Sequence, residues 1–320
     1  MIESGVIWLK GIILFAYGAP ASMDDLPAYY THIQSRKASD PAYMERVRNR
    51  FYQIGTSDTL GSITKRQAAG IEHALRAFYG QGVKVYTAYR HTPPFMKDVI
   101  DQMSREGITE IYTFSLKPIE SKQNTRLYEK MVDLEVKRLQ EETGKDLHVA
   151  HIKHRELEPR WIDVMADRVA EGYSWLPEET HRETAVIFTA HSIAGKPEAR
   201  EWFHNELKRL AGLVAEKAGI NSWSLAYRSA GKGELWAGPD VKDVVRQMAA
   251  AGAKGVLVFD LQSLTFNIEV AYDIGYDLQE LAAELGIRFM RAVQPDDSYD
   301  FIIAVSGMIH EFLDKEAAQA

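Results

Sequence analysis

The sequence predicts an α/β fold made of two similar halves, each a four-stranded parallel sheet flanked by helices. Three observations support this: short apolar runs, helix-length amphipathic stretches between them, and a repeat that relates the two halves of the 320 residues. The runs are continuous rather than alternating, as expected of parallel strands covered on both faces. Strand–helix alternation of this kind is typical of α/β proteins.

The predicted strands each begin a strand–helix unit. They cover residues 11–18, 83–90, 110–118, 147–154, 184–192, 222–230, 255–263 and 287–294. Amphipathic helical patterns lie between them, for example ITKRQAAGIEHALRAFY at 63–79 and VKDVVRQMAAAG at 241–252. A last helical pattern at 299–313 follows the second half, and we expect it to fold back onto the first.

An internal duplication relates the two halves. Residues 97–116, KDVIDQMSREGITEIYTFSL, align without gaps on 242–261, KDVVRQMAAAGAKGVLVFDL. Upstream, TAYR at 87–90 matches LAYR at 225–228, and IILFAYGAP at 12–20 matches AVIFTAHSIAGKP at 185–197 with a small insertion. Chance similarity between strand–helix units is the alternative, but the matches occur in the same order. We therefore predict two Rossmann-like domains at 1–155 and 156–298, with a C-terminal helix in 299–320.

Composition argues against several classes of function. A net charge of −7 disfavours binding to nucleic-acid phosphates or anionic lipid. Without cysteine there are no disulfides, no thiolate zinc site and no Cys-ligated iron–sulfur cluster. No run reaches the ~18 apolar residues of a membrane helix, and the N-terminus lacks the basic region of a signal peptide. We expect a cytoplasmic protein, monomeric by default, with no nucleic-acid partner and no integral membrane segment.

The first strand of each half ends in a side chain that can do chemistry, Tyr17 in one half and His191 in the other. Ligands of open α/β sheets bind beyond the carboxyl ends of the strands. If the two sheets face each other, Tyr17 and His191 approach a shared cleft from opposite sides, an arrangement that suits a flat ligand. A satisfied histidine at the edge of a core is the alternative for His191.

Acidic residues follow the strand at 255–263. Glu269, Asp273 and Asp277 are spaced i, i+4, i+8, so on a helix they form one acidic stripe. Such a stripe is either a solvated face or a path for a cation or for protons. Its position at a strand end, in the same half as His191, favours a general-base pair or a transient divalent-metal site.

Several motifs make the chain similar to ferrochelatases, in particular the soluble, cysteine-free type of Gram-positive bacteria. The resemblance covers nearly the whole length, and its strongest parts are AHS at 190–192 and IEVAYD at 268–273. The other motifs are FAYGAP (15–20), YYTHIQ (29–34), IGTSDTLGSIT (54–64), AYRHTPPF (88–95) and the W-x-GPDV segment at 236–241. The resemblance implies the class II chelatase fold, a porphyrin cleft between the domains, and insertion of Fe(II) into the porphyrin in haem biosynthesis.

The resemblance also implies the site. His191 and Glu269 match the catalytic pair, and the metal residues are His191, Glu269, Asp273 and Asp277. No organic cofactor is expected; Fe(II) is a substrate, and Asp273 with Asp277 is a candidate site for Mg²⁺ or another divalent ion. An iron donor and a haem-acceptor protein are candidate partners. The residues expected to contact the porphyrin are Tyr17, Arg90, His91, Ser192, Trp236 and Asn267.

Departures from the family pattern cluster around the expected cleft. Asn267 stands where the family usually has a histidine, Glu120 lies in KPIESKQN (117–124) in place of PQ-aromatic-S, and Ala194 belongs to an added AGK. Coproporphyrin III is favoured as the substrate, because the chain lacks the membrane-associating segment and the cysteine ligands of other branches. The alternatives are a tetrapyrrole-binding paralogue without catalysis and a chelatase for another metal, such as cobalt.

Overall fold

Two four-stranded parallel sheets organise the molecule. A computed structural model describes residues 9–34, 40–56, 58, 60–119, 125–153, 157–230 and 236–318. The first sheet has the order β2-β1-β3-β4 and the second the order β6-β5-β7-β8. The strands are β1 (Leu9–Ala16), β2 (Val83–Tyr89), β3 (Ile108–Ser115), β4 (His148–Ile152), β5 (Thr184–His191), β6 (Trp223–Arg228), β7 (Gly255–Asp260) and β8 (Arg288–Arg291). The repeated order confirms the predicted fold of two similar halves.

Helices cover both faces of each sheet. They are α1 (Leu26–Ile33), α2 (Pro41–Ile54), α3 (Gly61–Tyr79), α4 (Met96–Arg105), α5 (Thr125–Thr143), α6 (Pro159–Ser174), α7 (Pro197–Lys217), α8 (Val241–Ala250), α9 (Asp277–Glu284) and α10 (Tyr299–Ala317). Residues just outside the helices define their ends. Asp40 caps the start of α2, where its carboxylate accepts from Tyr43 N–H, and Gly55, with φ at +78°, follows its last residue.

The strands are apolar because they are covered on both sides. Ile12, Ile13 and Leu14 of β1 are all 0% exposed, although consecutive strand residues point to opposite faces. One core cluster contains residues of both sheets, and Trp161 of α6 packs in it between Phe114 of β3 and Phe301 of α10. The two halves therefore share a hydrophobic core.

The C-terminal helix α10 contacts elements of both halves. The Tyr79 hydroxyl of α3 lies 2.8 Å from His310 Nδ1, and Arg160 of α6 lies 2.9 Å from Glu311. The division of the chain at 155/156 and 298/299 stays a prediction.

Candidate active site

The carboxyl ends of equivalent strands hold equivalent residues in the two halves. Ala16 of β1 pairs with Tyr89 of β2, so Tyr17 and Arg90 follow side by side. In the second half Ala190 pairs with Tyr227, and His191 pairs with Arg228. The duplication therefore makes Tyr17 the equivalent of His191. It also makes Arg90 the equivalent of Arg228, as the matching TAYR and LAYR motifs predict.

The His191 imidazole has a fixed tautomer. Its Nδ1 lies 2.6 Å from the carbonyl oxygen of Ser192. A carbonyl oxygen only accepts, so Nδ1 carries the proton and donates it to this bond. In the neutral form of the ring Nε2 then carries the lone pair, and this atom has no hydrogen-bond partner among the residues described. A neutral imidazole with a free Nε2 is suited to take a proton or to bind a metal.

Glu269 is positioned by Asn267 at the start of a helical segment. The Asn267 side-chain oxygen accepts from the backbone N–H of Glu269 and of Val270, both at 3.1 Å. Its amide nitrogen donates to the carbonyl of Thr265 at 3.1 Å. The polar side-chain atoms of Asn267 thus form hydrogen bonds with the nearby backbone, as in a helix N-cap. A contact between Asn267 and porphyrin stays a prediction.

The acidic residues do not lie on a regular α-helix, which corrects the expectation of a simple stripe. Val270–Tyr276 forms a π-helix, which continues into α9 at Asp277. With i→i+5 hydrogen bonds a π-helix has more residues per turn than an α-helix. Glu269 and Asp273, four residues apart, therefore lie on the same face. Single π-helical turns occur frequently at functional sites.

Arg228 contacts these carboxylates together, and it is not among the site residues predicted from the sequence. Its side chain is 2% exposed, and it donates to Asp260 through Nε at 2.9 Å, with a second nitrogen at 2.8 Å from the same carboxylate oxygen. Another guanidinium nitrogen lies 3.4 Å from both Glu269 and Asp273. The repeated A-Y-R motif was the signal that could have identified it.

The pKa values of Glu269 and Asp273 are shifted in opposite directions. Desolvation raises the pKa of Glu269, but the positive charges of Arg228 and Lys117, together with that of His191 when its ring is protonated, bring it below the usual value. For Asp273 desolvation dominates, and the charge of Glu269 adds to it, so its pKa lies above the usual value. Glu269 is therefore ionised, and Asp273 holds a proton more readily. The Glu269 side chain is nevertheless 50% exposed, so ligand can reach it.

Asp277 is paired with a cation of its own. Its carboxylate lies 2.7 Å from Lys242 Nζ of α8, while Asp273 lies 3.7 Å from an Arg50 nitrogen of α2. Within the described ranges no group of three or more His, Asp or Glu side chains could hold a metal ion. The carboxylates as arranged are paired with cations, so a divalent ion at Asp273 and Asp277 would have to displace these cations.

In the first half, the Tyr17 ring packs against His91, which is bonded to a second histidine. The Tyr17 ring is 45% exposed and lies 4.4 Å, centroid to centroid, from His91. His91 Nδ1 is 3.0 Å from His32 Nδ1 of α1, so one ring donates and the other accepts. Desolvation, with Arg90 and His32 nearby, lowers the pKa of His91 to about 4. His91 is thus neutral near pH 7. His32 was not selected from the sequence.

Lys117 also lies at this edge and was not selected as a site residue. β1 and β3 pair Phe15 with Ser115, so Lys117 follows two residues on, as Tyr17 does in β1. Its side chain is exposed and has no ion pair among the described residues. Although the residue is exposed, the surrounding protein desolvates its ammonium group enough to lower its pKa; the charge of Arg228 acts in the same direction, and the charges of Asp260 and Glu269 oppose it. Glu269 likewise raises the pKa of Tyr17, after desolvation. Glu269 of the second half therefore acts on residues of the first.

The remaining expected residues have mainly local contacts. Ser192 is 2% exposed, and its hydroxyl donates to the carbonyl of Ala237 at 2.6 Å. Trp236 forms an antiparallel bridge with Ala194 and lies 6.2 Å from the His191 ring. The added Ala194 thus holds Trp236 beside His191. Glu120 lies outside the described residues.

The fold is shared with known chelatases. The structure of SirB from Bacillus subtilis with Fe³⁺ superposes with a TM-score of 0.61 over 97% of this chain and 98% of that chain, at 12% identity. Sirohydrochlorin chelatase SirB from Bacillus subtilis subspecies spizizenii in complex with cobalt has a TM-score of 0.57 over 97% and 98%, at 10% identity. The two sheets therefore form a class II chelatase fold, as predicted.

Sequence comparison goes further than the fold. The family model named Ferrochelatase matches residues 9–313. Coproporphyrin III ferrochelatase of Bacillus subtilis is 28% identical, over 93% of this chain and 96% of the relative. That of Geobacillus sp. is 30% identical over 93% and 96%, and that of Staphylococcus aureus (strain MRSA252) 29% over 92% and 96%. The chain belongs to the ferrochelatase family.

This membership confirms the prediction of a metal-inserting enzyme of haem and porphyrin biosynthesis. Iron is the metal of the family and is handled as a substrate. Among the helices described, none is long and apolar enough to cross a membrane.

Proposed function

We propose that the chain inserts Fe(II) into coproporphyrin III, held in a cleft between the halves with Tyr17 on one face and His191 and Glu269 on the other. The observation that carries this is the His191 tautomer: Nδ1–H is committed to the Ser192 carbonyl at 2.6 Å, which leaves Nε2 as a free base. Nearby lies the ionised Glu269, half exposed and within reach of a ligand.

The reaction replaces two pyrrole protons by one Fe(II) and releases both protons. His191 Nε2 accepts the two pyrrole protons one after the other, and the negative charge of Glu269 attracts the imidazolium that forms each time. Glu269 receives the proton and passes it to Asp273, because the pKa of Glu269 is lowered and that of Asp273 is raised. Arg228, in contact with both carboxylates, holds them at the start of this path.

The ring must bend for its pyrrole lone pairs to point out of the plane. Binding energy from the rest of the ligand supplies this distortion. Tyr17 and His91, whose ring centres lie 4.4 Å apart, form a packed surface on the opposite face. His91 stays neutral, so it adds no charge beneath the ring.

The choice of coproporphyrin III rests on its four propionates, which need more cationic partners than the two of protoporphyrin IX. Arg90 and Lys117 supply positive charge at the first-half edge. Relatives named coproporphyrin III ferrochelatase support the same choice. A monomer, an iron donor and a haem-acceptor protein stay predictions. A divalent ion at Asp273 and Asp277 also stays a prediction, and it requires Lys242 to move.

The test is metal insertion by the purified chain under anaerobic conditions. Loss of the free-base porphyrin spectrum is followed with Fe(II) and either coproporphyrin III or protoporphyrin IX. We expect faster turnover of coproporphyrin III, and a loss of about 100-fold or more in His191→Ala, the usual contribution of a general base. His73→Ala changes an exposed histidine of α3 and serves as the matched control.

Other outcomes contradict the proposal in distinct ways. Tight porphyrin binding without turnover indicates a carrier. Faster insertion of Co(II) than of Fe(II) indicates a different metal. Equal rates for His191→Ala and His73→Ala remove His191 from the mechanism.

A further inference from the structure

A cavity lies on one side of the π-helix. Its volume is about 700 Å³, and its walls come from the end of α2, the π-helix with α9, and strand β8. Ala271 and Gly275 line it. On a helix, residues two apart point in roughly opposite directions, so these residues lie on the side of the π-helix away from Glu269 and Asp273. The cavity is therefore separate from the proposed porphyrin site.

The charge of this cavity is positive in a chain whose net charge is −7. Arg288 and Arg291 both line it, and no Asp or Glu is among the lining residues. Gln53 and Gln279 add amide donors from the facing helices. The lining thus offers hydrogen-bond donors and positive charge to a ligand, with no carboxylate to repel an anion.

Arg291 is the centre of this arrangement. Its guanidinium lies over the Phe266 ring, with Cζ 4.9 Å from the ring centre, a cation–π contact. Among the residues described, it has no hydrogen bond and no ion pair, and the same is true of the Arg288 side chain. Burial lowers the pKa of Arg291, and the charge that opposes this shift, that of Asp296, is already bonded to Phe266 N–H at 2.6 Å.

A buried arginine without a hydrogen-bond partner destabilises the fold unless an anion pairs with its guanidinium. A largely buried polar group without a partner loses its hydration, and a charged one loses more. The guanidinium lies over the Phe266 ring, and its N–H groups lie in its own plane. Such a fixed fork matches the two oxygens of a carboxylate or phosphate.

We propose that this cavity is a binding site for a small organic anion, whose carboxylate or phosphate group is held by Arg291 while its carbon part contacts Phe266 and Met290. Arg288 neutralises a second negative charge. A volume of about 700 Å³ falls within the range of about 300–1,000 Å³ typical of small-molecule sites. The site is independent of porphyrin insertion.

The test uses benzoate and phenyl phosphate, which share a ring and differ in the anionic group. Benzyl alcohol is the uncharged control. Binding is followed by saturation-transfer NMR and titration on the full chain. We expect both anions to bind and benzyl alcohol to bind at least tenfold more weakly. Arg291→Gln weakens both anions at least tenfold, whereas Arg209→Gln, an exposed arginine of α7, leaves them unchanged. The ratio between the two anions distinguishes carboxylate from phosphate ligands.

A stability measurement makes the test independent of ligand choice. If the role of Arg291 is to bind a ligand, Arg291→Gln leaves the melting temperature of the ligand-free chain unchanged or raises it. A clear drop in melting temperature for Arg291→Gln overturns the proposal, because the arginine is then structural. Equal binding of the anions to the native chain and to Arg291→Gln overturns it as well.

Discussion

Replacement of Arg228 by methionine should be among the most damaging single changes at the site. Arg228 is 2% exposed, and its partner Asp260 is 0% exposed in its side chain. The substitution leaves the Asp260 carboxylate buried without its cation. Removal of one partner of a buried ion pair costs about 3–5 kcal/mol, because the remaining charge is uncompensated.

The size of the effect on melting follows from chain length. With about 2.1 cal/mol/K of unfolding entropy per residue, 320 residues give about 0.7 kcal/mol/K. A loss of 3–5 kcal/mol then lowers the melting temperature by about 4–7 °C. Differential scanning calorimetry of Arg228→Met measures this directly.

The duplication supplies a matched control. Arg90 holds the equivalent position, but the first-half equivalent of Asp260 is Ser115, so Arg90 has no buried carboxylate at that position. We expect Arg90→Met to cost under half as much. Asp260→Asn in the Arg228→Met background should recover most of the loss, because a neutral amide is cheaper to bury. Equal melting temperatures for Arg228→Met and Arg90→Met would refute this reasoning.

Three further predictions concern the surroundings of the site. Asn267→Ala removes the two bonds that start the Glu269 segment and should cost about 1 kcal/mol in urea unfolding, with slower metal insertion; Asn267→Asp, which keeps the cap, should cost much less. The pKa of His91 is lowered to about 4, so the unfolded chain binds more protons between about 4 and 6.5. His91 should therefore reduce stability as the pH falls through this range, and NMR titration of its ring should show no protonation at pH 6. The pKa of Asp273 is raised, so the fold favours its neutral form, and its stabilising effect is lost as the pH rises through the folded-state pKa. Asp273→Asn should therefore raise stability at pH 7 but not below pH 4, as measured by thermal melts across that range.

Each of these has an outcome that contradicts it. Equal stabilities of Asn267→Ala and Asn267→Asp show that the cap bonds contribute little. A His91 ring that titrates near pH 6.5 places it in an ordinary solvated environment. A loss of stability at pH 7 in Asp273→Asn means that the contacts with Arg228 and Arg50 outweigh desolvation.

Much of the fold can be predicted from short stretches of the sequence. Continuous apolar runs predict strands covered on both faces, and the β1 residues Ile12, Ile13 and Leu14 are indeed 0% exposed. The internal repeat predicts equivalent sheets, and the strand orders repeat. Sequence motifs also place Tyr17 and His191 at strand ends. These features depend on residues that lie close together in the chain, so periodicity and motif spacing are sufficient to reveal them.

What the sequence could not give is the pairing of charges. Arg228 contacts Asp260, Glu269 and Asp273, which follow it by more than thirty residues in the chain. The stripe looked continuous, yet Asp277 is paired with Lys242, and the segment before it is a π-helix. Which carboxylate is ionised, and which histidine nitrogen is free, depends on burial and on partners brought together by the parallel sheets. Local pattern thus determined the elements and the candidate residues, whereas the tertiary structure alone determined their charge states, because electrostatic energy depends on distance and desolvation in space.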